Sequence, residues 1–330
     1  MTTTPDLDLS AAARALRAPR VVCMAHMDPD ADTLGSALAL THALRAVGTD
    51  AVTAVGSPAG AADVVPGRLQ ALPGAGDLVT TEVESHPDVV AVLDCAVAER
   101  LGGLAAVLPR AGRVVWLDHH QPGEPQGSVV VVDPAAAATA EIVARLVGEL
   151  GVALTGDVAT CCYAGLVTDT GRFTNEATTP SALRLAAELI EGGVDVVGLN
   201  RALFDVMGFE ELRLLGRVLA GAYREPGGLV WSTVTEHELA EAGLTLADTD
   251  GVVELLRDVE DARCALLLKQ RATGGLKGSL RGVGEVEVAS IAGRFGGGGH
   301  RRAAGFDTQA TVADVVAGVV EALDGRRERG

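Results

Sequence analysis

The sequence predicts an α/β protein in two parts: an N-terminal doubly wound, mainly parallel sheet domain over 1–195 and a smaller C-terminal α/β domain over 221–330, joined by a helical linker over 196–220. Three observations carry this expectation. The 330 residues exceed the usual size of one domain. Short Val-rich runs, apolar from end to end, alternate with helical periodicity through the first half, as strands buried on both faces of a parallel sheet do. Beyond Pro226-Gly227-Gly228, strands and helices resume in a different order.

The elements follow in turn. Residues 20–25, 88–93 and 113–117 are the continuous apolar runs and predict strands. Helical spacing covers 34–47, 138–150 and 180–190, the last with Pro180 in its first turn. Leu199, Leu203, Leu212, Leu215 and Leu219 lie on one long periodic segment, so 195–220 reads as a single connecting helix. After it come a strand over 229–234, a helix over 252–259, strands over 262–270 and 276–281, a helix running to Phe295 and a charged tail from Arg326.

Composition excludes several function classes. Hydrophobic residues are 48 % and charged residues 22 %, a folding composition rather than a disordered one. Lys and Arg number 27 against 44 Asp and Glu, and the net charge of −17 argues against a general grip on long polyanions. Aromatic residues at 3 % leave little for base-stacking platforms, and Trp116 and Trp231 fall in strand patterns and read as core. No run reaches the ~18 apolar residues of a membrane span, and residues 1–9 carry no leader pattern, so the expected location is the cytoplasm, away from membranes. The five Cys sit mostly in apolar runs, without disulfide or zinc spacing.

The informative residues stand where the strands end, the edge at which open α/β sheets bind ligands. His26 follows the first strand and opens His26-Met27-Asp28-Pro29-Asp30-Ala31-Asp32, in which His26, Asp30 and Asp32 are metal-ligand types within seven residues. The same segment also reads as an acidic turn in which Asp32 or Thr33 caps the next helix. Asp94 follows the second strand, and Asp118-His119-His120 follows the third, in a chain of only seven His. Asp169 follows the apolar stretch 163–167. Four such carboxylates gathered together would repel one another and any phosphate, whereas two divalent cations would offset their charge.

These blocks resemble the DHH phosphoesterase family, whose triad stands here as Asp118-His119-His120. Asp94 with Glu99-Arg100-Leu101-Gly102, and Thr168 to Phe173, agree with it. So does Phe295-Gly296-Gly297-Gly298-Gly299-His300-Arg301-Arg302-Ala303-Ala304-Gly305-Phe306, which is similar to the glycine-rich signature of the DHH-associated C-terminal domain. The resemblance covers nearly the whole chain and points to the nanoRNase and pAp-phosphatase branch.

The resemblance implies that 1–195 is the catalytic domain and 221–330 the substrate-binding domain. It implies that His26, Asp30 and bridging Asp94 hold one metal ion, and that Asp32, Asp94, His119 and Asp169 hold a second. Mixed imidazole and carboxylate ligands suit Mn2+ best, with Mg2+ second. His120 is then a ligand-orienting or proton-handling group, and Asp118 fixes the geometry of its segment.

Period-two alternation puts Lys277, Ser279 and Arg281 on one strand face, which a solvated edge strand also explains. The resemblance assigns Arg281, Ser279 and His300 to the substrate's terminal phosphate. Gly297, Gly298 and Gly299 let backbone N–H groups approach the same anion, although a helix cap and turn needs glycines equally. Gly282 departs from the family's usual Ser. Arg172 and Asn175 are further phosphate or ribose contacts.

The implied activity is two-metal hydrolysis of very short RNA to mononucleotides and of 3′-phosphoadenosine 5′-phosphate (pAp), with cyclic di-AMP or its linear products as further substrates, by a homodimer. The competing expectations are a family II inorganic pyrophosphatase, whose basic C-terminal segment is missing here, and a non-catalytic nucleotide sensor.

Overall fold

Five short strands, β1 (Arg20–Ala25), β2 (Asp50–Val55), β3 (Val89–Leu93), β4 (Arg113–Asp118) and β5 (Val129–Val132), lie parallel in the order β2-β1-β3-β4-β5. This is a doubly wound order whose direction reverses between β1 and β3, and there the loops leaving the two strands part and open a crevice. The protein is described by a computed structural model covering residues 8–57, 65–79, 83, 86–120, 123–249, 251–271, 274–299 and 301–327. It divides into two units, Met1–Val206 and Met207–Gly330.

In the first unit, α1 (Leu9–Leu16), α2 (Ala31–Ala46), α3 (Thr139–Glu149) and α4 (Gly156–Asp169) pack with Cys23, Ala25, Ala91, Leu93, Val115 and Leu117 on one face of the sheet. The opposite face carries Val22, Met24, Val90, Val92 and Trp116 against the 3-10 segment Ala98–Arg110. Helix α2 is buried on nearly every side, as its Ala- and Leu-rich sequence requires. It crosses α4 closely at two glycines: a Cβ on Gly35 would lie 2.5 Å from the Cys161 carbonyl oxygen, and one on Gly165 would lie 2.5 Å from Asp32 Oδ1.

Helix α5 (Pro180–Glu191) matches the expected 180–190, but the single helix expected over 195–220 is a misreading. Helix α6 (Val196–Asn200) passes into a π-helical turn, Arg201–Asp205, and then into extended backbone at Val206 and Gly208 before α7 (Phe209–Ala220) begins. Glycine at 208 disfavours helix, and Glu211 accepts its N–H at 3.1 Å, starting a new helix instead of continuing the old one. The two units divide at this break, beside Val206 and Met207.

The second unit contains β6 (Tyr223–Glu225), β7 (Leu229–Val234), β8 (Cys264–Gln270), β9 (Leu276–Gly282), β10 (Gly298–Gly299) and β11 (Ala303–Thr308) in the order β10-β11-β9-β8-β7-β6. Only β7 and β8 pair in parallel. Helices α7, α8 (Glu236–Ala242) and α9 (Val252–Arg257) pack on Val230, Val234, Ala265 and Leu267. Helices α10 (Val288–Gly293) and α11 (Val312–Arg327) pack on the other face, on Leu266, Leu280 and Phe306. The helix expected to reach Phe295 stops at Gly293, because the chain turns at Gly296, whose φ is +81°.

All five Cys are buried free thiols, and Trp116 is fully buried, but Trp231 is only half-buried and stacks on Tyr223 at 5.0 Å. Among the described residues no helix is long and apolar enough to cross a membrane.

Candidate metal centre

The crevice between β1 and β3 gathers the polar strand ends. Asp30 caps α2, its Oδ1 accepting the N–H groups of Asp32 (3.0 Å) and Thr33 (2.9 Å), so the cap is Asp30 and neither Asp32 nor Thr33. The first turn of α2 carries Asp32 inward, where it is fully buried. Asp94 leaves β3 with φ +55°, a strained conformation that redirects its side chain out of the strand, and the carboxylate is buried too. Asp169 comes in from the last residue of α4.

These side chains form three overlapping groups, each with its ligand atoms within 4.8 Å of one another: His26, Asp30 and Asp94; Asp32, His119 and Asp169; and Asp94, His119 and His120. The structure thus brings together all six residues expected as metal ligands. Asp94 joins the two sides, with Oδ2 3.8 Å from His26 Nε2 and Oδ1 3.6 Å from His119 Nε2.

The donor set fits divalent cations. His119 Nε2 is buried, lies 3.2 Å from Asp169, 3.6 Å from Asp94 and 3.9 Å from Asp32, and makes a well-aligned hydrogen bond with none of them. A buried imidazole nitrogen facing three carboxylates in this way is what a cation would satisfy. Backbone carbonyls hold the far side of both rings: His26 Nδ1 is 2.7 Å from the Met27 oxygen and His119 Nδ1 is 3.3 Å from that of Ala136. Each therefore turns Nε2 toward the acids, as ligating histidines do.

Electrostatics give the same picture. Burial, reinforced by Asp169, Asp94 and Asp30, raises the Asp32 carboxyl well above the ordinary range. Burial with the nearby Asp94 and Asp30 charges raises Asp169 to about 6, against the relief supplied by His119. Burial alone would raise Asp94 as well, but the His120 hydrogen bond and the charges of His120, His119 and His26 outweigh it and hold Asp94 at about 2. His120 is pushed up to about 10 by its bonds to Asp118 and Asp94.

Asp118 organises its own segment. Its Oδ1 accepts the N–H groups of His119 (2.8 Å) and His120 (3.0 Å) and lies 2.8 Å from His120 Nδ1.

Thr139, Ala140, Gly165 and Arg100 contribute to the site in ways the sequence did not lead one to expect. The N–H groups of Thr139 and Ala140, at the start of α3, bind Asp32 at 2.7 and 2.9 Å, and the Thr139 hydroxyl donates to Asp94 at 2.9 Å. Gly165 leaves room for Asp32; a glycine inside an apolar helical run was the one available hint. Arg100, which the sequence placed only within a motif, sets Nη2 3.0 Å from Nε2 and 3.3 Å from Nδ1 of His26, so its guanidinium lies beside that ring.

Arg172 and Asn175 are engaged within the fold. The Arg172 guanidinium lies 4.2 Å over the Phe204 ring and pairs with Asp205 at 3.1 Å, while Asn175 Nδ2 donates to the Asp169 carbonyl at 2.8 Å and so fixes the end of α4.

In the second unit, Lys277, Ser279 and Arg281 do alternate onto one partly exposed face of β9, with Gly278, Leu280 and Gly282 buried between them. Gly282, where the family usually has Ser, has a physical reason: a Cβ there would lie 2.4 Å from the Val286 carbonyl oxygen. The glycine run is both cap and strand. Gly297 donates to the Ala292 carbonyl at 3.0 Å, a Cβ on it would lie 2.1 Å from the Gly305 carbonyl oxygen, and Gly298 and Gly299 pair with Gly305 and Ala304 as the exposed edge strand β10. His300 lies outside the described residues.

Comparison with known proteins places this geometry. The model of the DHH family, N-terminal domain, matches residues 20–166, which contain the whole first sheet. The bifunctional oligoribonuclease and PAP phosphatase NrnA of Thermus thermophilus is 38 % identical over 283 residues, 85 % of this chain and 81 % of that protein. The Bacillus subtilis protein of the same name is 27 % identical over 289 residues, 86 % of this chain and 88 % of that one. Among solved structures, an exopolyphosphatase-related protein from Bacteroides fragilis superposes with a TM-score of 0.89 at 24 % identity, covering 98 % of both chains, and so shares the fold of both units. The 38 % identity to the T. thermophilus protein, sustained over more than four-fifths of each sequence, goes with a crevice of candidate metal ligands on the matched sheet: the chain belongs to the DHH phosphoesterase family.

Proposed function

We propose that the protein is a divalent-metal-dependent phosphoesterase that hydrolyses very short oligoribonucleotides to mononucleotides and removes phosphate from pAp. The observation that carries this reading is the position of Asp94, a buried carboxylate shared by two groups of metal-ligand side chains at the sheet's switch point. The activities for which the T. thermophilus and B. subtilis relatives are named supply the substrate class.

His26, Asp30 and Asp94 would hold one cation, and Asp32, Asp94, His119 and Asp169 the other, with Mn2+ favoured by the mixture of imidazole and carboxylate donors. Such cations supply Lewis acidity, polarising a phosphoryl oxygen and offsetting the charge of the acids around them. The chain's own residues do the rest. Asp118 orients the His120 ring and keeps a proton on it, which places a cationic, proton-handling group beside the acids. The α3 amides hold Asp32, and Thr139 holds Asp94, so neither carboxylate has to reorganise when substrate arrives. Arg281, Ser279 and Lys277 form the cationic strip for a terminal phosphate, and the net charge of −17 confines that attraction to a short anion.

The test is product release from pAp, a two-nucleotide RNA, cyclic di-AMP and inorganic pyrophosphate, each with Mn2+ and with chelator. Mononucleotide from the RNA and AMP from pAp, abolished by chelator, are expected. Hydrolysis of pyrophosphate alone, or binding of nucleotide without turnover, overturns the reading.

A further inference from the structure

Arg281 is not free on its strand. Its Nε donates to Glu254 Oε1 at 2.5 Å and its Nη1 to the Leu280 carbonyl at 3.0 Å, while Nη2 makes no hydrogen bond among the described residues. Glu254 reaches β9 from α9, whose Val252, Val253 and Leu256 are buried against the sheet, so its origin is fixed by packing. The other Glu254 oxygen, Oε2, takes the Arg257 guanidinium. One carboxylate thus holds two guanidiniums, and the Arg257 guanidinium is itself held by Asp258 Oδ1 at 3.0 Å.

We propose that Glu254, held on its second oxygen by Arg257, is a positioning residue that fixes Arg281 and presents its unengaged Nη2 edge to the terminal phosphate of the substrate; this rests on the functional reading above. The arrangement solves a specific problem. A lone Arg on a half-exposed strand face loses rotamer freedom when it binds an anion, and a carboxylate already on its Nε takes that loss beforehand. With Arg257 on the second oxygen, the carboxylate is fixed from both sides, and Arg281 with it. Lys277, on the same face, adds a second positive charge.

The experiment compares KM and kcat of the full-length protein on two dinucleotides, pApA, which ends in a phosphate, and ApA, which does not. Glu254→Ala frees Arg281 and is expected to raise KM for pApA about fivefold with kcat unchanged and KM for ApA unmoved. Glu254→Gln keeps an acceptor for Nε and returns KM to within about twofold of the starting protein. Arg257→Ala releases the second Glu254 oxygen, loosens the carboxylate that holds Arg281 and also raises KM for pApA. In an Arg281→Ala background, Glu254→Ala has no further effect. Equal KM shifts on both dinucleotides, or additive effects of the two substitutions, overturn the positioning role. If the unmodified protein hydrolyses neither dinucleotide, the functional reading itself falls and the role of Glu254 falls with it; if it hydrolyses both and Glu254→Ala matches it throughout, only the role of Glu254 falls.

Discussion

Asp32 accepts the backbone N–H of Thr139 at 2.7 Å, although 107 residues separate them in the chain. With the Ala140 N–H on its other oxygen at 2.9 Å, the carboxylate from α2 serves as the N-terminal cap that α3 lacks, since Ala138 at the cap position offers no side-chain acceptor. A candidate metal ligand is thereby oriented by a second helix as well as by its own.

Thr139→Val tests how far such support matters. The substitution keeps the backbone bond to Asp32 but removes the 2.9 Å hydroxyl bond to Asp94. Mn2+ affinity measured by titration calorimetry is expected to fall about tenfold, the usual scale for losing a group that orients a ligand, with little change in thermal stability of the metal-free protein.

Asp94→Ala removes the carboxylate shared by both sides of the cluster. Phosphate release is expected to fall to background and bound metal, measured by elemental analysis, to drop on both sides. Turnover equal to the parent would refute a cluster organised around Asp94.

Gly165→Ala places a methyl 2.5 Å from Asp32 Oδ1 on α2 and 2.8 Å from the Ala140 Cβ on α3, both packed against α4. The expected cost is about 1–3 kcal/mol in chemical denaturation, together with weaker metal binding, because the strain is relieved by displacing Asp32. Gly148→Ala, on α3 with open space around the new methyl, is the control and should not destabilise.

The acid cluster sets a pH dependence whose sign is fixed. Asp169, raised to about 6, holds in the metal-free fold a proton that the unfolded chain releases near 4, so its contribution to stability is lost as pH rises from about 4 through about 6. Asp32, also raised, acts in the same direction, whereas Asp94 at about 2 and His120 at about 10 titrate outside that window. Cations take the deprotonated carboxylates, so the rise in melting temperature on adding Mn2+ should be larger at pH 7.5 than at pH 5. An equal shift at both values would mean that the acids do not carry metal binding.

Much of this was legible in the sequence, for identifiable reasons. β1, β3 and β4 are almost wholly apolar, and a His or Asp marks where each stops. β2, with Thr53 bonded to Thr41 at its centre, lacks that signature, whereas β5, four valines followed by Asp133, carries it but is too short to stand out, and both were missed. Backbone N–H groups have no letter of their own, so the Thr139 and Ala140 contacts with Asp32 could not be foreseen. Glu254 carries no mark of its role in the sequence, since its meeting with Arg281 depends on how α9 lies across β9. The interrupted connecting helix was misread because leucines at helical spacing run through Gly208 on both sides.

The three overlapping groups, two of which share Asp94, draw on residues from His26 to Asp169, contributed at the ends of β1, β3 and β4, at the start of α2 and at the end of α4. No nascent chain that stops short of α4 contains the full set, and closing so long a span is among the late, entropically slow events of folding. Affinity for cations should therefore arise all at once as the first unit completes itself, making metal uptake a marker of finished folding during synthesis.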